Sequence, residues 1–213
     1  MIDKLNTEIR YLDNYLRDVR KWDSLVINKR VPHTYRVFRM LDDGSRLCLH
    51  KFEYFDKDGG DEAFMHPHPW PGAFQIMGGE YEMKLGYTEN REQKEPKIIC
   101  TTRMREGSSY EITDPLTWHS VTPRTKVVYS IMLNGKPWDA DVAHTAVRTT
   151  KGKDLQKMTK MELANHLSYF ANKLCCGDTW TCEDSPTGFC VQMEHSRYDH
   201  DCKYCGNPMD ERK

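Results

Sequence analysis

The chain has 213 residues, with 31 lysines and arginines set against 32 aspartates and glutamates and a pI near 6.7. Such a length holds one sizeable core plus a small appendage, since domains commonly run about 100–200 residues, and the balanced charge does not mark a general polyanion binder, though it leaves room for local basic patches. No apolar run approaches the roughly 18–20 residues of a transmembrane helix, and the opening MIDKLNTEIRYLDNY lacks the apolar segment of a signal peptide, so a cytoplasmic protein with no membrane partner is expected.

In chain order, Ile2, Leu5, Ile9, Leu12, Leu16 and Val19 recur at the three-four spacing of one helical face, with charged and polar residues on the other. Residues 1–30 are therefore expected to form an amphipathic helix that packs on the main domain or makes a seam between two subunits, which leaves a homodimer open. The next stretch changes character to short β-type runs: TYRVFRM, RLCLHKFEYF, AFQIMGGEYEMKLGYT, KIICTTRMR, SSYEIT and KVVYSIML. Turn signals such as DDGS, DKDGGDE, TENREQKEP and REGS divide them. Strands without an intervening helical pattern argue for an antiparallel sandwich or barrel over residues 31–150. In RLCLHKFEYF, Leu47, Leu49, Lys51, Glu53 and Phe55 share one face and Arg46, Cys48, His50, Phe52 and Tyr54 the other. Both faces mix polar with apolar, so the pattern does not say which one lines the interior. After Trp138 the strand pattern fades, and a second helix begins near Lys160 with Leu163, Leu167, Phe170 and Leu174 on one side. Residues 151–213 thus comprise a helix and a cysteine-rich tail.

The most informative stretch is GDEAFMHPHPWPGAFQIMGGEYEM, residues 60–83. His66 and His68 stand at i and i+2, which on an extended chain places both side chains on one face, where they can share a metal ion. A catalytic metal site takes about three protein ligands and leaves positions open; WHSVTP supplies His119 as the third, behind the DPLT turn. His33, His50, His144 and His166 are read as structural histidines.

With these residues the chain resembles the cupins, small β-barrels built as a double-stranded β-helix. The first cupin motif runs glycine, five residues, His-x-His, a glutamate and a closing glycine; Gly60, His66, His68 and Gly79 stand at the matching positions. The second motif, a glycine, a strand, a Pro-x-Gly turn and a histidine, is matched by Gly107 and His119. The resemblance covers roughly residues 35–135 and implies a mainly β fold, a cupin-like barrel flanked by an N-terminal helix and by a C-terminal helix with a zinc-stabilised tail. Two positions depart from the pattern: Gly72 stands where the glutamate belongs, and Asp114-Pro115-Leu116 replaces Pro-x-Gly. Gln75 is then the nearest side chain able to offer an oxygen as a fourth ligand. The favoured arrangement is three histidines without a carboxylate, as in some thiol-oxidising cupins.

Three neutral imidazoles suit Fe(II), Ni(II), Zn(II) or Cu(II), so the ligand set alone does not name the metal. Open positions on such an ion bind dioxygen beside a substrate or polarise a carbonyl. The preferred expectation is an Fe(II) dioxygenase acting on a small-molecule substrate, with Arg124, Tyr81 and Tyr129 as candidates for catalytic or orienting roles, and Trp70 beside them. A metal-assisted isomerase or epimerase is the rival enzyme, and a non-catalytic cupin used for binding is the third class. A 2-oxoglutarate oxygenase fits less well, because His68 stands where that group uses a carboxylate and Arg124 follows His119 too closely.

Of the eight cysteines, most crowd into the tail, and Cys202-Lys-Tyr-Cys205-Gly is a CxxC knuckle that supplies half of a tetrahedral zinc site. Cys182 and Cys190 are the favoured partners, with His195 close behind. Zinc would supply the folding energy that a segment poor in aliphatic residues lacks. The tail offers a contact for a protein partner; its acidic residues offset its basic ones and make nucleic acid a poor candidate.

Overall fold

A computed structural model describes residues 1–27, 32–53, 63–90, 92–93, 95–138 and 156–175. Helices α1 (Ile2–Arg10) and α2 (Leu12–Leu16) are followed by a 3-10 turn at Val19–Lys21. Ten strands come next: β1 (Asp23–Ile27), β2 (His33–Met40), β3 (Arg46–Glu53), β4 (His66–Pro67), β5 (Gly72–Gly78), β6 (Glu80–Tyr87), β7 (Lys97–Arg105), β8 (Ser109–Ile112), β9 (Thr117–Pro123) and β10 (Val127–Asn134). Helix α3 (Lys160–Cys175) is the last described element.

The strands form a six-stranded sheet in the order β1-β2-β3-β10-β5-β8 and a four-stranded sheet in the order β4-β9-β6-β7. Strands β3 to β10 nest as antiparallel pairs, β3 with β10, β4 with β9, β5 with β8 and β6 with β7. They are one long hairpin wound upon itself, closed by the further pairs β10·β5 and β6·β9. That winding is the double-stranded β-helix, so the fold is the cupin fold expected from the histidine motifs. β1 and β2 extend the larger sheet beyond β3.

Its tightest corner is the turn from β5 into β6, where Gly79 has φ +79°. A Cβ there would run into the Val127 carbonyl oxygen. Only glycine fits both the left-handed backbone and the close approach.

Strand alternation divides the larger sheet into two faces. Leu47, Leu49, Ala73, Ile131 and Leu133 point outward and are covered by Leu5, Leu12 and Leu16 of the N-terminal helices and by Leu167, Phe170 and Ala171 of α3. Each of those leucines is fully buried, a gain of roughly 2 kcal/mol apiece. The even-numbered face of β3, with Cys48 and His50, therefore lines the barrel. The N-terminal segment is two short helices rather than one, interrupted at Tyr11 (φ -98°, ψ 4°), and beyond the second the Tyr15 carbonyl is taken by the Trp22 indole N–H at 2.9 Å and by the Arg39 guanidinium at 3.1 Å. These bonds end α2 and turn the chain into β1. Helix α3 starts at a capping box: the Glu162 amide donates to the Thr159 hydroxyl at 3.2 Å while the Thr159 amide donates to the Glu162 carboxylate at 2.8 Å.

Inside the barrel are two apolar clusters. Ile76, Tyr81, Met83, Met104, Val121 and Val128 form one, and Cys48, Trp70, Phe74, Ile112 and Met132 the other. Among the described residues no helix is long and apolar enough to cross a membrane.

Candidate metal centre

The histidines meet because of strand register. In the β4·β9 pair His66 lies directly opposite His119 and Pro67 opposite Trp118. β4 is the edge of its sheet, the place where Pro67 is tolerated, since its missing N–H leaves no ladder bond unmade. His68, two residues on, returns to the face of His66. The ring centroids lie 4.8 Å apart for His66 and His119, 4.7 Å for His68 and His119, and 5.2 Å for His66 and His68. One ligand nitrogen from each of the three falls within 4.8 Å of the others, and among the described residues no aspartate, glutamate or cysteine joins the group.

In two of the three rings the other nitrogen meets a protein oxygen. His66 Nδ1–H donates to the Phe64 carbonyl at 3.1 Å, which directs its Nε2 lone pair to the cluster. His119 Nδ1 lies 3.4 Å from the Tyr110 hydroxyl, and Tyr110 in turn accepts a hydrogen bond from the Tyr81 hydroxyl at 3.1 Å. That leaves His119 Nε2 facing His68 Nε2 at 2.7 Å. Outer partners of this type fix tautomer and orientation in histidine metal sites. Burial first, and the neighbouring imidazoles second, hold His68 and His119 well below the usual histidine range. Both are neutral at pH 7 and present lone pairs. The donor set therefore fits a divalent transition ion with open positions for water or substrate.

The floor of the site is aromatic. Phe74 stacks on Tyr110 at 4.5 Å and 6°, and lies 5.5 Å from both His68 and His119. Trp70 meets His68 edge-on at 6.3 Å.

Of the other residues singled out from the sequence, Tyr81 lies behind the site, almost fully buried, and reaches His119 only through Tyr110. Three lie elsewhere. Gln75 is on the helix-covered side of β5 with Ala73 and Met77, because the inward positions of that strand belong to Phe74 and Ile76. Tyr129 is likewise on the outer side of β10, stacked on Tyr169 of α3 at 3.5 Å and 13°. Arg124 is in the turn after β9, half exposed, with Nη2 donating to Glu82 at 2.6 Å on the outside of the small sheet. Gly60, Cys182, Cys190, His195, Cys202 and Cys205 lie outside the described residues.

Pattern reading missed Tyr110, the partner of His119, although the alternation of SSYEIT placed it on the same face as Ile112. Arg36 and His50 were also missed. Arg36 Nε donates to His50 Nε2 at 2.7 Å inside the barrel. Both residues sit on strand faces whose mixed polarity gave no direction.

No family model matches the chain, and no curated protein does. Solved structures similar to it include the hydroxypropylphosphonic acid epoxidase from S. wedmorenis, at 16% identity and a TM-score of 0.39, over 53% of this chain and 55% of that one. An Fe(II) form, FeII HppE, matches at 17% identity and the same TM-score over 53% and 56%. The match thus spans little more than half of those chains. The Schizosaccharomyces pombe Cnp3 cupin domain is similar at 13% identity and a TM-score of 0.36, over 48% of this chain and 61% of that domain. The cupin fold of this chain rests on its own strand order, nested hairpin and facing histidines.

Proposed function

We propose that the protein is a metal-dependent cupin enzyme that oxidises a small molecule with Fe(II) and dioxygen at His66, His68 and His119. The observation that carries the reading is the convergence of three imidazole nitrogens within 4.8 Å, two of the rings being oriented through their other nitrogen. When bound, the ion supplies open positions at which dioxygen and substrate are brought together. The chain's own residues do the rest. The Phe64 carbonyl, an acceptor only, keeps the proton of His66 on Nδ1, so that Nε2 is its ligand atom, and the Tyr110 hydroxyl beside His119 Nδ1 accepts the Nδ1–H hydrogen bond when His119 binds the ion through Nε2. Phe74 and Trp70 wall the site with apolar surface and limit the water around it. In the tail, the CxxC spacing of Cys202 and Cys205 supports a separate structural zinc with Cys182 and Cys190.

The test is elemental analysis per chain of the intact protein beside its His119→Ala and Cys202→Ser forms, followed by oxygen uptake of the iron-loaded protein over a panel of small molecules. One ion lost with His119 and a zinc lost with Cys202 are the expected pattern. Metal retention without oxygen uptake would turn the reading to a metal-assisted isomerase or epimerase. A wild-type chain that retains no metal at the histidines would refute it in favour of a binding or adaptor protein.

A further inference from the structure

Two arginines enter the interior of the barrel, and one of them, Arg36, has no carboxylate bonded to it among the described residues. Among the described residues no aspartate or glutamate is buried. Yet Arg36 projects inward from β2 on the side opposite Val37, and Arg46 lies in the same interior, its guanidinium 4.7 Å from the Trp70 ring centroid and 5.6 Å from that of Phe38.

Arg36 is tied to His50, its cross-strand partner, by Nε alone. Its two terminal nitrogens make no hydrogen bond or ion pair among the described residues, and the side chain is partly open to solvent. A guanidinium cannot shed its charge. Holding it in a largely buried place without a counter-ion costs several kcal/mol. His50 adds an unmatched donor: with Nε2 accepting from Arg36, the proton is on Nδ1, and that buried nitrogen has no partner. A second buried donor without a partner is the Trp70 indole N–H, beside His68. Asn134 Oδ1, across from Arg46, is an unmatched acceptor in this interior.

Register puts this cation in the inward row adjacent to the one that ends at the three histidines. Arg36, His50, Ser130 and Ile76 form one row across the larger sheet, and Phe38, Cys48, Met132 and Phe74 the adjacent row. Phe74 is the residue against which His68 and His119 rest. Arg36 on β2 and Phe74 on β5 are three strands apart, about 14 Å along the sheet, a gap that the inward reach of the arginine side chain and the curvature of the barrel shorten; both Arg36 and His50 act electrostatically on His68.

We infer that the substrate is a small oxyanion, a carboxylate or a phosphate-type group, whose charged end is bound by the free fork of Arg36 while the rest of the molecule reaches the three histidines. A planar fork with two free terminal nitrogens suits the bidentate recognition of either group. The inference rests on the metal-centre reading for the second half of that statement only. His50 is a positioning residue: it holds Nε and thereby aims the fork.

The test uses the full chain, metal-free and loaded with Co(II), titrated calorimetrically with acetate and with inorganic phosphate at constant ionic strength. Wild-type protein is expected to bind one anion per chain, acetate if the site is built for a carboxylate and phosphate if for a tetrahedral group. Arg36→Gln should weaken it by about tenfold or more, and Arg36→Lys, which keeps the charge without the fork, by less. The Co(II) stoichiometry and ligand-field spectrum of Arg36→Gln should match the wild type. No binding of either anion to wild-type protein, or equal binding by Arg36→Gln, overturns the inference. If Arg36→Gln does not fold, the wild type decides through phenylglyoxal modification of the Arg36 peptide: protection by the anion supports the site and equal modification refutes it. Should His119→Ala hold Co(II) as tightly as wild type, the metal reading fails, while anion binding to metal-free protein still tests Arg36.

Discussion

Tyr110→Phe is the substitution that separates an oriented metal centre from a chance meeting of histidines. The phenylalanine ring preserves the stack on Phe74, 4.5 Å apart and 6° from parallel, so packing changes little. What is lost is one oxygen, 3.4 Å from His119 Nδ1 and 3.1 Å from the Tyr81 hydroxyl. Loss of an outer partner of a ligating histidine costs about 10–100-fold in metal affinity. At 3.4 Å the contact is at the long end of hydrogen bonding, so about tenfold is expected, or about 1.4 kcal/mol. Stability should also fall, by about 1–3 kcal/mol, because the Tyr81 hydroxyl loses its acceptor in a place that water does not reach. Tyr81→Phe removes only the distal hydroxyl and should weaken metal binding by less than about threefold. Chelator competition for Co(II) measures the first effect and urea unfolding the second. If Tyr110→Phe holds metal as tightly as wild type, His119 is not oriented through this hydroxyl and the account given for it is wrong.

Three further outcomes follow from the geometry. His166 is buried with Nε2–H donating to the Leu49 carbonyl, and burial lowers its pKa from 6.5 to about 4. Between those values the unfolded chain binds a proton that the folded chain does not, so stability is full above pH 6.5 and is lost as pH falls toward 4; from pH 7 to pH 5 this one group costs about 2 kcal/mol. Burial lowers His50, His68 and His119 as well, with the same sign, and His166→Gln should flatten the urea-midpoint profile by one proton's worth. Gly79→Ala should destabilise by about 1–3 kcal/mol or prevent folding, because the added methyl meets the Val127 carbonyl in a left-handed backbone; thermal unfolding reads it, and a wild-type melting temperature would contradict the turn as described. Arg124→Ala should leave metal content unchanged and stability within about 1 kcal/mol, since its pair with Glu82 is half exposed on the outer face; loss of metal would return this arginine to the site.

The strand content, the barrel class and the His66–His68 pair were legible in the chain from short-range rules, alternation, turn residues and the i, i+2 spacing; His119 joined them through the second motif of the cupin resemblance. Facing was not. Gln75 and Tyr129 each sit one position from an inward residue, and a strand with mixed polarity on both sides does not announce its phase. The hidden information was the outer layer: once α1, α2 and α3 cover the large sheet, Leu47, Leu49 and Ile131 belong to a second apolar core rather than to the barrel. β1 escaped notice because the helical periodicity of the preceding residues runs into it, and it is held by Ser24, whose hydroxyl accepts from the Met158 amide 134 residues away. Arg36 escaped because a strand arginine is ordinarily a solvated one, and only the pairing of β2 with β3 turns it inward onto His50.

The layering of the barrel interior carries the functional case beyond the histidines. Along β10, Val128 belongs to one apolar cluster and Met132 to the other, with Ser130 between them; along β3, Cys48 and Phe52 flank His50 in the same way, and on β2 Arg36 precedes Phe38. A band of polar groups thus crosses a barrel that apolar residues at the same inward positions would stabilise better, since buried polar groups must find partners or cost stability. Among the described residues the band does not satisfy itself: His50 Nδ1 is left over, and Arg36 has no carboxylate. Folding does not require such a band, and the outer core of leucines and α3 aromatics supplies burial independent of it. Unmatched donors beside three convergent imidazoles, in a chain whose fold is secured on the opposite face of the same sheet, are what a barrel interior built around a ligand requires.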